Sequence, residues 1–157
     1  MSPEVALEAA HARQAELLAN LMELYLHDLS EAFDIEPGGD GRFGYDKLPL
    51  YWSEPERRFP FLIREDGRVV GFVLVMRERD GFDMAEFFVL RRHRRGGVGR
   101  RAAFLVWDRF PGRWSVRVAE ANRGAMGFWR GVIAEYSDGT ATEEERPGWR
   151  VFSFMAH

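Results

Sequence analysis

The fold is decided by the stretch Phe87-Phe88-Val89-Leu90-Arg91-Arg92-His93-Arg94-Arg95-Gly96-Gly97-Val98-Gly99-Arg100. Its first four residues are apolar and aromatic and suit a β-strand, and its remainder is a turn rich in glycine and arginine. An alanine-containing amphipathic stretch, residues 101–109, follows and suits a helix. The order strand, glycine turn, helix start directs several backbone N–H groups and the positive end of a helix dipole at one small volume. The pattern therefore predicts a site for a phosphate or pyrophosphate.

Two common phosphate-binding loops fit this turn poorly. The P-loop requires Lys followed by Ser or Thr after its last glycine, but Arg100 and Arg101 occupy those positions. The dinucleotide-binding fingerprint requires a third glycine where the chain has Ala102. An acidic residue is expected about 20 residues further on in that fingerprint, and Glu120 lies near there, so this alternative is weakened but stays open.

The pattern Arg94-x-x-Gly97-x-Gly99 resembles the pyrophosphate loop of the GNAT superfamily of N-acetyltransferases, Gln/Arg-x-x-Gly-x-Gly/Ala. Downstream, Asn122-x-x-Ala125-x-x-Phe128-Trp129 is similar to the family's Asn-x-x-Ala-x-x-Phe-Tyr helix, and a short strand precedes it as in the family. The likeness runs in order over residues 60–136. It implies a single acetyltransferase domain over residues 1–157. Its fold would be α/β (α+β with a mixed sheet): a mostly antiparallel sheet splayed between strands four and five, with helices on both faces.

The resemblance also implies acetyl-CoA as co-substrate and no metal. Backbone amides of residues 95–100 would hold the pyrophosphate, the Arg94 side chain would fix the turn, and Arg100 and Arg101 are candidates for the phosphates. By the same resemblance, main-chain groups of Val89 and Leu90 would bind the pantetheine arm of the coenzyme, and the amide of one of these two residues would polarise the thioester carbonyl. The residues predicted to bind the coenzyme are Phe88, Val89, Leu90, Arg94, Arg95, Gly96, Gly97, Val98, Gly99, Arg100, Arg101, Asn122, Phe128 and Trp129.

Catalysis requires a base for the amine and, in the family, a tyrosine that protonates the leaving sulfur. Glu86 on the fourth strand is the candidate base. In the competing interpretation, the Glu86 carboxylate only faces solvent or pairs with an arginine. Trp129 stands where the family has its tyrosine, and an indole N–H cannot act as an acid. Two alternatives stay open: no dedicated acid is needed, because a coenzyme A thiolate is only weakly basic, or Tyr45, Tyr51 or Tyr136 reaches the site. The predicted catalytic residues are Glu86, Tyr45 and Tyr136. Asn122 is expected to cap its helix.

Some relatives that acetylate protein N-termini carry a glutamate where this chain has Ser115, which argues mildly against that subgroup. The predicted acceptor is a small-molecule or peptide amine of unknown identity. Because the tyrosine that the family uses as an acid is missing from this chain, a non-catalytic CoA-binding or ligand-sensing module is the alternative function. The family also permits a homodimer.

Composition narrows the remaining function classes. The 157 residues carry a formal net charge of −3, yet six arginines fall between residues 91 and 101. This basic patch is compact and interrupted by glycines, whereas a duplex-binding protein usually spreads its charge along a helix or face, so no nucleic-acid partner is expected. Cysteine is absent, which excludes thiol catalysis, and the four histidines lack zinc-ligand spacing. Without an evident signal peptide or long apolar run, the expected location is the cytoplasm, with no membrane partner.

Periodicity and turn residues predict the remaining elements. A closing hairpin is expected from two strands around a loop that contains Glu143-Glu144-Glu145. Aromatic residues between the first helix and the second strand, Tyr45 among them, either cover the core or form a wall of the acceptor pocket. The predicted strands are 5–8, 59–64, 68–77, 84–90, 114–118, 133–137 and 149–155, and the predicted helices are 12–29, 97–110 and 122–130, with a short helical turn within 47–52.

Overall fold

A computed structural model describes residues 4–157, in which the order of strands and helices largely follows the order that the sequence predicts. The elements are β1 (Val5–Ala9), α1 (Ala15–Leu29), α2 (Leu50–Ser53), β2 (Arg58–Glu65), β3 (Arg68–Glu78), β4 (Gly81–Val89), α3 (Val98–Arg109), β5 (Gly112–Ala119), α4 (Arg123–Tyr136), β6 (Thr142–Arg146) and β7 (Trp149–Ala156). Short 3₁₀ turns precede α1 and α3.

The strands form one mixed sheet in the order β1-β2-β3-β4-β5-β7-β6. Every neighbouring pair is antiparallel except β4 and β5, which run parallel. These two strands pair only at Phe82 with Trp114 and at Asp83 with Ser115. Beyond that point β4 continues to Val89 without further pairing to β5, and the predicted splay is confirmed.

A β-bulge in β4 lies just after the last residue that pairs with β5. Met84 pairs with Val75 and Glu86 pairs with Leu74, so Ala85 is an extra residue on β4. A bulge bends its strand and increases the local twist. The bend begins two residues beyond Asp83, and it accounts for the departure of β4 from β5.

Apolar side chains bury both faces of the sheet. On one face Leu18 and Met22 of α1 pack with Phe72 and Leu74 of β3. On the other face α3 and α4 contribute a second cluster around Trp107, which is 0% exposed. The sheet therefore lies between helices, as predicted, and the gap between β4 and β5 connects the two faces.

The predicted strand over residues 133–137 is wrong, because these residues belong to α4 and the turn that ends it. Gly131 disfavours a helix, and the β-branched pair Val132-Ile133 favours an extended chain locally. In the fold, however, Val132 and Ile133 lie three and four residues after Trp129, and all three are buried on one helical face. The helix instead ends at a turn in which Asp138 and Gly139 have positive φ angles of 53° and 76°.

The expected loop around Glu143-Glu144-Glu145 is instead the edge strand β6, which pairs with β7. Every residue of β6 is exposed. Its carboxylates are balanced by arginines, with Glu143 close to Arg130 and Arg150. Charged residues on an edge strand discourage pairing with another chain, so a composition that disfavours a strand is tolerated here.

Gly71 on β3 gives a test of the packing between β3 and β4. A Cβ at this position would lie 2.0 Å from the Phe88 carbonyl oxygen, whereas a Cβ at exposed Gly131 in α4 would meet nothing within 4 Å. We expect Gly71→Ala to lower the free energy of unfolding by about 1–3 kcal/mol or more. Gly131→Ala should instead raise it by about 0.5–1 kcal/mol because alanine favours a helix. Urea denaturation of both variants makes the comparison, and equal stabilities would contradict it.

Candidate active site

A cavity of about 250 Å³ lies where β4 and β5 separate. One side is formed by α1 and the segment after it, and the other by the start of α4. Two aromatic rings, Phe33 and Trp149, approach each other to 5.9 Å between centroids on the first side. The residues that line the cavity are Tyr25, Leu29, Phe33, Met84, Ala85, Glu86, Phe87, Val116, Arg117, Val118, Ala119, Asn122, Ala125, Trp129 and Trp149.

Backbone direction along β4 decides which amides face this gap. The Leu90 amide donates to the Val70 carbonyl at 2.8 Å, so Leu90 bonds toward β3. Bonding alternates along an antiparallel strand, so Phe88 also bonds toward β3, and the amides of Phe87 and Val89 point toward the gap. Of the two amides expected to polarise a thioester carbonyl, only that of Val89 is available.

Phe88 does not face the cavity, contrary to its predicted role in coenzyme binding. Its main chain bonds toward β3, and its side chain is 5% exposed on the α1 face. There its ring lies 5.7 Å from Tyr25, and the Arg94 guanidinium lies over it. Phe88 therefore supports the loop indirectly, because its ring packs against the Arg94 guanidinium.

The loop between β4 and α3 presents a row of backbone N–H groups. Gly97 is the N-cap of α3 with φ of 85°, and Arg95 has φ of 70°, a conformation that is unfavourable for a residue with a side chain. Within residues 4–157, the amides of residues 95–100 have no hydrogen-bond acceptor. Unpaired amides at a helix N-terminus form a site for an anion, and strained backbone is often kept where function needs it. The geometry fits a pyrophosphate.

The Arg94 side chain fixes this loop, as predicted. Its Nε donates to the Val89 carbonyl at 2.7 Å, and its Nη2 donates to Asp28 at 2.7 Å. Arg91 also pairs with Asp28, which lies near the end of α1. The two arginines hold the pKa of the Asp28 carboxyl below its usual range, against the effect of burial. Arg94 thus joins the loop, the end of β4 and α1.

The two arginines after the loop have different partners. Arg100 pairs with Glu135 of α4 and lies over the Phe104 ring at 4.5 Å, so its side chain is directed along α3 and away from the loop. In this orientation the guanidinium is engaged by Glu135, and its contact with a phosphate stays a prediction. Arg101 donates to the carbonyls of Gly96 and Gly97 at 2.7 and 3.2 Å, and it therefore stabilises the loop backbone.

Gly97 and Gly99 serve different purposes. Gly97 supplies the positive φ at the helix start. A Cβ at Gly99 would lie 3.1 Å from ring carbons of Phe128, so this glycine allows α4 to pack closely against α3. The sequence predicts that the missing Cβ at Gly99 permits close approach of the coenzyme, whereas in the structure it permits close approach of Phe128.

Glu86 lies in the cavity wall between two tyrosines. The Tyr25 hydroxyl donates to its Oε1 at 2.7 Å, and the Tyr45 hydroxyl donates to its Oε2 at 2.8 Å. Burial raises the pKa of Glu86, and the two hydrogen bonds act in the opposite direction. The arrangement provides an oriented carboxylate beside the gap, and it brings Tyr45 to Glu86 as a hydrogen-bond donor to the carboxylate.

Tyr25 is a residue of the site that the sequence did not predict. The periodicity of α1 places it on the apolar face, where its ring does contact Phe72 at 5.5 Å. Nothing in the local sequence indicates that its hydroxyl crosses to a carboxylate on β4. Burial and Glu86 raise the pKa of Tyr25 well above its ordinary value, while a hydrogen bond from the Phe87 backbone opposes this shift.

Tyr136 is not part of this site, and its predicted role as a proton donor is wrong. Its hydroxyl donates to Asp108 of α3 at 2.9 Å, and its ring packs against Phe104 and Trp107. Burial and Asp108 raise the pKa of Tyr136 to about 12. Tyr136 therefore joins the ends of α3 and α4.

Trp129 and Asn122 border the cavity from α4. Trp129 is 8% exposed and stands edge-to-face on Phe87 and Phe128, each at 4.9 Å, as a wall of the cavity. The Asn122 side chain accepts from the Ala125 amide at 3.2 Å, which confirms the predicted helix cap.

A second buried carboxyl, Asp83, lies at the mouth of the gap. It is 2% exposed, and Arg117 on β5 approaches it at 3.4 Å. Burial raises the pKa of Asp83, and Arg117 counteracts this shift. Within residues 4–157, no group of three or more metal-ligating side chains is present, and none of the helices has the length and hydropathy of a membrane span.

The cap at Asn122 provides a stability test for the cavity border. We expect Asn122→Ala to lower the free energy of unfolding by about 1 kcal/mol, because the Ala125 amide loses its acceptor. Asn122→Asp keeps an acceptor oxygen and adds a charge that the helix dipole favours, so it should retain stability. Thermal unfolding of both variants measures the difference, and an equal loss in both would contradict the cap.

Comparisons with known proteins agree with this geometry. Residues 18–132 match the Acetyltransferase (GNAT) family. Solved structures with the same fold include an acetyltransferase from Thermus thermophilus, with 16% identity and a TM-score of 0.71, covering 99% of this chain and 97% of that one. RimJ of Mycobacterium smegmatis in complex with CoA-disulfide has 19% identity and a TM-score of 0.65, covering 97% of this chain and 82% of that one. No curated protein sequence matches the chain. The chain belongs to the GNAT family of acetyltransferases.

Proposed function

We propose that the protein transfers the acetyl group of acetyl-CoA directly to a primary amine, with Glu86 as the base. The observation that carries this proposal is the gap between β4 and β5. It has an oriented carboxylate in its wall and the unpaired amides of the glycine loop beyond the end of β4. No covalent enzyme intermediate is required.

The loop amides would hold the pyrophosphate, and the Val89 amide would face the thioester. A preorganised amide that stabilises charge on a carbonyl oxygen typically contributes about 10²–10³ in rate. The complex of the structurally similar RimJ with CoA-disulfide supports a coenzyme of this type. Binding to backbone groups explains why six arginines near the loop need not all contact phosphate: Arg94 and Arg101 hold the loop itself.

The acceptor amine would approach from the α1 side of the cavity. An alkylammonium group with a pKa near 10.4 must lose a proton before it attacks. Glu86 lines the cavity and would take that proton directly or through a water molecule. After Glu86 passes this proton to solvent, the amine nitrogen bonds to the acetyl carbon and gives a second proton to Glu86. The carbon–sulfur bond breaks, and its electron pair leaves with the coenzyme thiolate.

The acceptor side of the cavity combines apolar and charged groups. Leu29, Phe33 and Trp149 supply apolar surface, while Glu86 and Arg117 supply one charge of each sign. This composition is compatible with a small-molecule or peptide amine that also carries an apolar group.

A CoA-binding module without catalysis is the alternative, and the indole at Trp129 favours it because the family's usual acid is absent. A panel of amines discriminates between the two functions. The panel should contain spermidine, L-lysine, L-phenylalanine, a short peptide with a free N-terminus and kanamycin. Release of free thiol from acetyl-CoA with at least one of them supports the enzyme, and CoA binding without release for all of them supports the module.

Coenzyme binding should depend on the backbone of Gly97. We expect Gly97→Ala to weaken CoA binding about 5–30-fold in titration calorimetry, because alanine disfavours a φ of 85° by about 1–2 kcal/mol. Gly96→Ala is the matched control, since a Cβ there would meet nothing within 4 Å and its φ lies outside the left-handed region. Equal affinities of the two variants would contradict a pyrophosphate held by this loop.

Catalysis should depend on the ionised form of Glu86. We expect Glu86→Gln to lower kcat by about 10²–10⁴-fold and to abolish the fall of kcat/KM on the acid side of the pH profile. In the unchanged enzyme this fall should lie above the ordinary range of glutamate, because burial raises the pKa of Glu86. Activity is lost as pH falls, since the base must be deprotonated.

Asp83→Asn is the control for this experiment, because Asp83 is a buried carboxyl on the same strand that does not line the cavity. The Asp83→Asn enzyme should keep the fall of kcat/KM on the acid side of the pH profile. This fall should move slightly to lower pH, because the charge of Asp83 raises the pKa of Glu86. A Glu86→Gln enzyme with an unchanged pH profile would exclude Glu86 as the base.

A further inference from the structure

We propose that Tyr25 protonates the departing thiolate, and that Glu86 returns the amine's proton to Tyr25. This inference rests on the proposed function and adds a residue that no motif of the chain indicates. Trp129 of α4 cannot act as the acid, and the proposal gives this role to a residue of α1, which lies on the opposite face of the sheet.

Among the side chains that the structure describes, the other tyrosines are poorly placed for this task. Tyr136 donates to Asp108 and does not line the cavity. Tyr51, a residue of α2, is 1% exposed and does not line the cavity either. Tyr45 reaches Glu86, but it also lies outside the lining of the cavity. Tyr25 is the tyrosine of the cavity wall.

The position of the Tyr25 hydroxyl follows from its partners. It donates to Glu86 Oε1 at 2.7 Å, and Tyr25, Glu86 and Phe87 all line the cavity. The Phe87 amide is one of the two on β4 that point toward the gap. The hydroxyl oxygen therefore lies at the edge of the gap between the strands, between the proposed base and the path of the thioester along β4.

The proton balance closes over two side chains. The neutral amine attacks the acetyl carbon, its nitrogen gives one proton to the Glu86 carboxylate, and the carbon–sulfur bond breaks with its electron pair on sulfur. Tyr25 turns its hydroxyl hydrogen from Glu86 to the thiolate and at the same time accepts the proton from the Glu86 carboxyl. The products are the amide, the free thiol of CoA, an ionised Glu86 and a neutral Tyr25, so the site is restored without an outside acid.

A purely structural role for Tyr25 would need only its ring. The ring packs against Phe72 and Phe88, and phenylalanine would preserve both contacts. The hydroxyl adds a bond to Glu86, which Tyr45 already orients through the other oxygen. The hydroxyl group and the ring can therefore be tested separately.

Tyr25→Phe is the first test, and its readout is the split between kcat and KM with an amine from the panel that the unchanged enzyme acetylates. We expect kcat to fall about 10²-fold or more and the KM for acetyl-CoA to stay within about threefold, because the loop is not altered. Adding Trp129→Tyr to this variant returns an acid at the family's position and should recover at least about tenfold in kcat. Tyr45→Phe is the matched control. It should lose less than about tenfold in kcat and shift the acid limb to higher pH, since the Tyr45 hydrogen bond lowers the pKa of Glu86.

Replacing Tyr25 with a fluorinated tyrosine keeps the shape of the site should Tyr25→Phe fold poorly. Fluorination makes the phenol more acidic, so kcat should fall on the alkaline side of the pH profile, and this fall should begin at a lower pH than in the unchanged enzyme. The same replacement at Tyr45 should leave the alkaline side unchanged. A Tyr25→Phe enzyme with kcat within about threefold of the unchanged enzyme, or a fluorinated Tyr25 with no shifted limb, would overturn the relay. Absence of thiol release by the unchanged enzyme with every amine would instead refute the proposed function, and the relay with it.

Discussion

The incomplete pairing of β4 with β5 is the constraint on which the rest of the site depends. Two residue pairs hold the parallel strands together, and the bulge at Ala85 then turns β4 away. The separation leaves main-chain groups of β4 without the partners that a continuous sheet would give them. Backbone N–H groups need acceptors, so a gap of this kind is most stable when a ligand or water supplies them. The amides of Phe87 and Val89 are therefore a cost to the fold, which a thioester bound as proposed would offset.

At its end, the edge of β4 that faces the gap is stabilised by side chains rather than by hydrogen bonds to β5. Arg94 bonds to the Val89 carbonyl and to Asp28 of α1, so the loop and the helix above the acceptor side form one connected unit. Arg101 bonds to two carbonyls of the loop, which leaves the loop amides directed outward. The arginine cluster that suggested direct phosphate contacts is thus used in part to shape the backbone. This explains how a compact basic patch can occur in a chain with a net charge of −3.

The sequence predicted the elements whose signals are local. The glycine loop, the Asn122 cap and most of the strands and helices follow from turn residues, capping residues and periodicity, and they agree with the structure. The prediction for residues 133–137 was wrong because Gly131 disfavours a helix and Val132-Ile133 favours extended backbone locally, while burial beside Trp129 favours the helix. The strand β6 was missed because its stability comes from pairing with β7 and from arginines distant in sequence. The bond between Tyr25 and Glu86 spans 61 residues, and no spacing rule along one element can indicate it.

The tyrosines around Glu86 also resolve a conflict between stability and catalysis. A buried carboxyl whose pKa is raised in the folded state binds protons more readily there than in the unfolded chain. Its stability contribution is therefore favourable at low pH and is lost as pH rises through the folded pKa, which makes an ionised Glu86 a cost at neutral pH. Two hydroxyl donors reduce this cost because they bind the charged form. The same donors keep the carboxylate in one orientation, so the groups that limit the loss of stability also orient the proposed base. A hydrocarbon residue at position 86 would avoid this cost, so an oriented, partly desolvated carboxylate beside an open gap supports the proposed chemical role of Glu86.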